Sequence, residues 1–279
     1  MIAKRALALL GLLGTVSAGF CKNRTFWLCG DSTMAPGGGH NHTEGWGQYL
    51  QYSLDPHLRV NNSAYAGRSA RTFTREGRFQ AIMDKITPGD WVLIQFGHND
   101  PGDPFNDPKN RTDCPGMGSE TCPVQTDDGV EVVQTFVTYL QNATAEFLRL
   151  GARVIIASPT PNNPYEFGPT FNWTPTIYSW YSWYVASSMG GPAAGVYYVD
   201  HAGYAAQAVH NLGPESADAN YPMDHTHLSP AYADLFARAF ALGLKCGTAP
   251  AQQYVVNATS RIEGDVLGTC LPVNATLPI

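Results

Sequence analysis

The chain has 279 residues, a formal net charge of -6 and only 14% charged residues. That length suits one large α/β domain with a core of its own. The negative balance disfavours nucleic acid and anionic membranes as partners, and leaves a polysaccharide open.

In chain order, Lys4 and Arg5 precede an apolar run at 6–13, and Val16-Ser17-Ala18 has the small-residue spacing of a cleavage site. This reads as a signal peptide at 1–18, too short for the ~20 apolar residues of a membrane span. No later stretch reads as a span either. A strand is predicted at 25–29, running into the turn Gly30-Asp31-Ser32. Gly37-Gly38-Gly39-His40-Asn41-His42 reads as a flexible loop beside that turn rather than a metal site. A helix at 45–53, a strand at 58–62 and Gly67 follow. Next come a helix at 73–86, a strand at 90–96 and Gly97-His98-Asn99-Asp100. A Pro/Gly-rich loop bracketed by Cys114 and Cys122 precedes a predicted helix at 129–150 and a strand at 153–158. The aromatic-rich segment 177–189 is predicted helical, and spacing puts Trp180, Trp183 and Tyr184 on one face directed at the core. A strand at 196–199 and a helix at 202–212 lead to Asp224-His225-Thr226-His227. The last helix, 230–245, has Pro230 in its first turn and Ser229 as N-cap.

Strands alternating with helices argue for parallel βαβ units in a three-layer αβα sandwich. No repeat or linker divides the chain, so one domain is expected at 19–246, with a C-terminal extension at 247–279 packed on it. With that leader, the six cysteines are expected in an oxidising compartment. Cys114–Cys122 would close the Pro/Gly-rich loop, and Cys246–Cys270 would pin the extension. An extended strand from Cys21 to Cys29 spans ~26 Å at ~3.3 Å per residue, out of disulfide reach. Cys29 therefore reads as a buried thiol, and the pairing of Cys21 stays open. With no C-x-x-C pair, no zinc is expected. Asn-x-Ser/Thr acceptors at Asn23, Asn41, Asn110, Asn142, Asn172, Asn257 and Asn274 fit a secreted glycoprotein. Asn61, at a strand end, is expected to be too buried for use.

In an open parallel sheet, ligands gather beyond the carboxyl ends of the strands. Ser32, Gly67 and Asn99 each follow a strand, and Asp224 and His227 precede the last helix. A serine hydroxyl needs a base within hydrogen-bond reach, and the base needs an orienting group. Asp224 and His227, three residues apart, lie side by side in a turn. One imidazole nitrogen is then left for Ser32. His225, next to Asp224, would point away. The Ser32 and Gly67 amides and the Asn99 side chain offer three donors to an oxyanion. His201 and His210 have no evident partner.

Together these residues resemble the SGNH (GDSL-type) hydrolases. The matches are Gly30-Asp31-Ser32, Gly67, Gly97-His98-Asn99-Asp100 and Asp224-x-x-His227. More closely, the chain is similar to fungal rhamnogalacturonan acetylesterases of carbohydrate esterase family 12. That similarity is carried by Gly30-Asp31-Ser32-Thr33-Met34, Gly45-Trp46-Gly47-Gln48-Tyr49-Leu50, Ala66-Gly67-Arg68-Ser69-Ala70-Arg71 and Arg75-Glu76-Gly77-Arg78-Phe79. The resemblance implies a flavodoxin-like five-stranded parallel sheet in the order 2-1-3-4-5. It implies Ser32 as nucleophile, His227 as base, Asp224 as its orienter, and Ser32, Gly67 and Asn99 as the oxyanion hole. The expected function is a secreted, monomeric, cofactor-free serine esterase that deacetylates pectic rhamnogalacturonan. An acetylxylan or other short-chain esterase is the alternative, and a non-catalytic glycan-binding protein is the alternative of another class.

Overall fold

The computed structural model describes residues 24–256 and 266–272. The leader at 1–18, Cys21, Asn23, Asn257 and Asn274 lie outside the described residues. The strands are β1 (Arg24–Gly30), β2 (Leu58–Asn62), β3 (Trp91–Gln95), β4 (Thr121–Thr126), β5 (Gly129–Gln134), β6 (Arg153–Ala157) and β7 (Val196–Val199). One parallel sheet has the order β2-β1-β3-β6-β7, and β4 and β5 form a separate antiparallel pair. Counting only the strands of the large sheet, this is the 2-1-3-4-5 order that the resemblance implies.

Side chains alternate across a strand, and here each set meets a different helical layer. Phe26, Leu28, Trp91, Leu93 and Ile155 share one core with Tyr204, Phe236 and Phe240. Those last residues belong to α6 (His201–Asn220) and α7 (Pro230–Cys246), numbered in chain order after α1 (Ala70–Arg75), α2 (Arg78–Met83), α3 (Phe136–Arg149), α4 (Ile177–Ser188) and α5 (Gly191–Ala194). Trp27, Cys29, Val92, Ile94 and Ile156 face the other way, against Phe73, Phe79, Phe136, Phe147 and Val185 of α1 to α4. Both faces of the sheet are thus buried, which is why its strands read as apolar runs.

Several predicted helices are corrected. The stretch 129–150 is a strand followed by a helix: β5 pairs with β4 through Thr126 and Gly129, and α3 starts at Phe136 with the Thr135 side chain as its cap. Val130, Val132 and Val133 are stiff at χ1 and favour the strand. The stretch 73–86 is broken by Gly77, at φ 68°, into α1 and α2. Ser69 and Thr72 form a capping box that starts α1 earlier than predicted. Instead of a helix at 45–53 there are two short 3₁₀ turns, Trp46–Gln48 and Leu50–Ser53. α6 runs past 212 to Asn220, with a kink where Gly213 takes φ 81° before Pro214, a residue that lacks the amide hydrogen a straight helix needs.

The aromatic helix α4 also turns differently. It buries Ser179, Ser182, Val185 and Ala186, leaving Trp180, Trp183 and Tyr184 only half-buried. Small side chains let the helix approach the sheet closely, while Trp180 stacks on Tyr184 at its outer edge, 5.5 Å between centroids.

Cys114–Cys122 and Cys246–Cys270 are bonded, and Cys29 is a free buried thiol whose pKa burial pushes up. Two described parts of the tail are bonded to the rest of the chain: Asp55 N–H donates to Tyr254 O at 2.7 Å, and Gln207 Nε2 donates to Leu267 O at 2.8 Å.

Candidate active site

β1 delivers Ser32 to the carboxyl edge of the sheet. Past Gly30 the chain turns sharply, with Ala35 N–H donating to Asp31 O at 2.9 Å. The Asp31 carboxylate holds the turn by accepting from Thr33 N–H at 2.9 Å and from its hydroxyl at 2.7 Å. Gly30 is needed at this point, since a Cβ there would lie 2.9 Å from the Met34 sulfur and 3.0 Å from Gln95 O. The hydroxyl of Ser32 lies 2.8 Å from His227 Nε2.

His227 arrives on the segment before α7. Its Nδ1 is 2.7 Å from Asp224 Oδ2, and its own N–H donates to Asp224 Oδ1 at 2.8 Å. Thr226 N–H donates to the same oxygen at 2.8 Å. Partial burial raises the Asp224 pKa, but the bonds from the His227 ring, the His227 amide and the Thr226 amide outweigh it and hold the carboxyl below its usual range. His225 turns the other way, with Nδ1 2.7 Å from Glu166 Oε1.

Gly67 and Asn99 follow β2 and β3 at the same edge of the sheet. Tyr65 N–H donates to Gly30 O at 3.0 Å, so the loop after β2 stays paired to the end of β1 just before the chain reaches Gly67. There φ is 76°, a conformation that favours glycine. Asn99 Nδ2 donates to Arg68 O at 3.0 Å, and Asn99 Oδ1 accepts from Arg111 Nη1 at 2.7 Å. Asp100 is buried and ties this corner to α1, accepting from Ala70 N–H at 2.7 Å and Gly97 N–H at 2.9 Å. Burial, with Asp113 adding to it, pushes its carboxyl well above the usual range.

A serine, an imidazole and a carboxylate in hydrogen-bonded sequence at a sheet edge are the parts that ester hydrolysis needs, and residues 28–235 match the GDSL-like lipase/acylhydrolase family. The chain belongs to that family. A rhamnogalacturonan acetylesterase of Emericella nidulans is 44% identical over 241 residues, covering 86% of this chain and 91% of that one. Among solved structures, protein YxiM of Bacillus subtilis superposes with a TM-score of 0.60 at 25% identity, over 80% of this chain and 56% of that one. Axe2, an acetylxylan esterase from Geobacillus stearothermophilus, shares the fold, with a TM-score of 0.52 at 18% identity over 80% of this chain and 94% of that one. The protein is thus a carboxylic ester hydrolase of the GDSL type.

Adjoining the segment that carries Asp224 and His227, this GDSL-type hydrolase has a cleft of about 530 Å³ lined by His98, Thr160, Asn162, Asn163, Trp173 and Tyr178. Its far wall is tethered to the histidine segment: Asn163 N–H donates to His225 O at 2.6 Å, and Thr226 Oγ1 donates to Asn162 Oδ1 at 2.9 Å. His98 lies 3.2 Å from Thr160 Oγ1, and burial lowers its pKa. A second cavity of about 450 Å³ is lined by Phe171, Tyr204, His210 and Leu271, and neither Ser32, Asp224 nor His227 lines either cavity.

Several supporting residues were not legible in the sequence. Gly39 packs on the His227 ring so closely that a Cβ would lie 2.5 Å from it. The loop that carries it is bonded throughout rather than free: Gly37 N–H donates to Glu44 Oε1 at 2.6 Å, Gly39 N–H to Thr43 Oγ1 at 2.9 Å, and Glu44 N–H to Leu228 O at 2.9 Å. The Gly-Gly-Gly run was the available signal, and it marks close approach as well as a turn. His201 proves to be a buried structural residue. Gln95 Nε2 donates to its Nδ1 at 2.9 Å, so its Nε2–H donates to Phe236 O at 2.9 Å. His210 is exposed and its ring lies tilted against Phe171, with 4.5 Å between centroids. Among the acceptor asparagines, Asn41, Asn142 and Asn172 are exposed, and Asn61 and Asn110 are half-buried. Among the described residues, no group of three or more His, Cys, Asp or Glu side chains could hold a metal ion, and no helix is long and apolar enough to cross a membrane.

Proposed function

We propose that the protein is a secreted, monomeric serine esterase that removes acetyl groups from pectic rhamnogalacturonan through an acetyl-enzyme on Ser32. The observation that carries the chemistry is the continuous relay from Ser32 Oγ to His227 at 2.8 Å and on to Asp224 at 2.7 Å. His227 Nε2 takes the hydroxyl proton as Ser32 Oγ attacks the acetyl carbon. The oxyanion that forms is met by the N–H groups of Ser32 and Gly67 and by Asn99 Nδ2. His227 then returns the proton to the sugar oxygen, which leaves with its C–O bond broken. Water repeats the sequence on the acetyl-serine, and acetate departs. Asp224 keeps Nδ1 protonated and the ring in register.

The polymer is proposed from the Emericella nidulans relative, whose name states that activity. The polar cleft bonded to His225 and Thr226, with Asn162, Asn163 and Thr160 near Trp173, suits the hydroxyls and apolar faces of sugar rings. Secretion is supported by the leader pattern at 1–18 and by two disulfides, which persist in oxidising compartments. Glycans are proposed at Asn23, Asn41, Asn110, Asn142, Asn172, Asn257 and Asn274. The test is acetate release from acetylated rhamnogalacturonan beside acetylated xylan and long-chain esters. The highest kcat/KM is expected on rhamnogalacturonan. A preference for xylan would leave the chemistry standing and replace the substrate.

A further inference from the structure

We infer that Arg111 is the positioning residue of the oxyanion hole, holding the Asn99 side-chain amide in the one orientation that offers its N–H to the substrate. The inference rests on the reading of Asn99 as an oxyanion donor. A primary amide at this position has two possible orientations, and its neighbours decide between them. Arg68 O can only accept, and it takes a hydrogen from Asn99 Nδ2 at 3.0 Å. The Arg111 guanidinium can only donate, and it gives one to Asn99 Oδ1 at 2.7 Å. A flipped amide would set carbonyl against carbonyl and N–H against N–H. With both neighbours satisfied, the second hydrogen on Nδ2 remains for a ligand.

The charge of Arg111 is also unspent. The nearby guanidiniums of Arg68, Arg71, Arg75 and Arg78 are all ion-paired to Glu76 or Glu131. Arg111 forms no ion pair among the described residues, and its Nε is buried with no hydrogen-bond partner there. Its Nη1 also borders the second proposed donor, for a Cβ at Gly67 would lie 3.9 Å from it. A positive charge fixed behind two oxyanion donors stabilises negative charge that develops only in the transition state.

The loop that presents Arg111 is built for it. One carboxylate, that of Asp107, collects the N–H groups of Lys109, Arg111 and Thr112 and the Thr112 hydroxyl. Partial burial opposes its ionisation, but those bonds win and hold its pKa at about 2. The fully buried Arg71 donates from Nη1 to Thr112 O at 2.8 Å, and Cys114 is bridged to Cys122 two residues further on. Three separate devices thus fix the segment on either side of Arg111.

The test compares kcat and KM on p-nitrophenyl acetate for the wild type, Asn99→Ala, Arg111→Ala, Arg111→Lys and the double alanine variant, with and without dilute guanidinium. Arg111→Ala is expected to lower kcat by about 10²-fold, as misplaced catalytic groups do, with KM little changed. Lysine should recover part of the loss. Added guanidinium should raise kcat of Arg111→Ala but not of the double variant. The double variant should be no slower than Asn99→Ala, because without the amide Arg111 has nothing to position. Wild-type kcat in Arg111→Ala, a loss confined to KM, or losses that multiply in the double variant would each overturn the inference. If Asn99→Ala alone loses kcat, the oxyanion reading stands and Arg111 falls out of it. If Asn99→Ala keeps wild-type kcat, both fall. Should Arg111→Ala not fold, Arg111→Met keeps the packed stem without the donors and is judged by the same kcat, KM and double-variant criteria.

Discussion

On one side of the candidate site, Ser32, His227 and Asp224 bond to one another at 2.8 and 2.7 Å. On the other, Asn99 bonds to Arg68 O and Arg111, and Arg111 is held in turn by a loop gathered around Asp107. The first wall is assembled by bonds among the groups proposed to react. The second is assembled by residues that need never touch substrate. A wall of the first kind fails completely when any member is removed. A wall of the second kind should fail by degrees, according to how far the amide strays.

The largest expected effect sharpens that contrast. Ser32→Ala should lower kcat by roughly 10⁴ to 10⁶ with the fold intact, as in other serine triads. Retention of a tenth of wild-type turnover in a p-nitrophenyl acetate assay would take Ser32 out of the mechanism. His227→Ala should cost nearly as much, while His225→Ala should be mild because that ring pairs with Glu166. If His225→Ala proves the more damaging change, the base has been misassigned.

On the opposite wall, Asn99→Ala should lower kcat by roughly 10² to 10³ with a smaller change in KM. A pure KM effect would make Asn99 a substrate-binding residue. Gly39→Ala tests whether the first wall also depends on outside support. The added Cβ would lie 2.5 Å from a ring already pinned by two bonds. Displacement of that ring should cost on the order of 10-fold in kcat. Unchanged steady-state kinetics would show that the loop yields instead.

The smallest effect concerns the floor beneath both walls, where Trp46 Nε1 donates to Gln95 Oε1 at 2.8 Å and Gln95 reaches His201. Burial lowers the His201 pKa from 6.5 to about 3. Between those values the unfolded chain binds a proton that the folded one does not. Stability therefore falls as pH drops through that window, by up to about 1.4 kcal/mol per pH unit. His201→Gln should flatten that slope in urea unfolding. An unaltered slope would assign the acid sensitivity to other groups.

Much of the large sheet could be read directly, because parallel strands covered on both faces are short apolar runs and little else in a sequence looks like them. The ends of the helices were harder. β5 falls inside the helix predicted at 129–150 because its valines, exposed at 130 and 132 and buried at 133, form no long apolar run. Trp180 and Trp183 were placed in the core because large aromatic rings usually go there. Ser179 and Ser182 took the inner face instead, since close packing of α4 on the sheet favours small side chains.

Serine, histidine and aspartate could be picked out of the sequence because their chemistry limits which partners serve them, and because each sits beside a strand end or a helix cap. Neither Arg111 nor Gly39 has such a signature. One is an arginine in a polar loop, and the other lies within a glycine run. Their importance lies in what stands next to them, Asn99 Oδ1 for one and the His227 ring for the other. Local patterning was enough to place the strands of the sheet, whose order the family resemblance implied, the two cysteine pairs, and the serine, histidine and aspartate that the structure bonds in sequence. Tertiary structure alone decided which groups hold those residues still, because contacts between loops distant along the chain leave no periodicity or spacing in it.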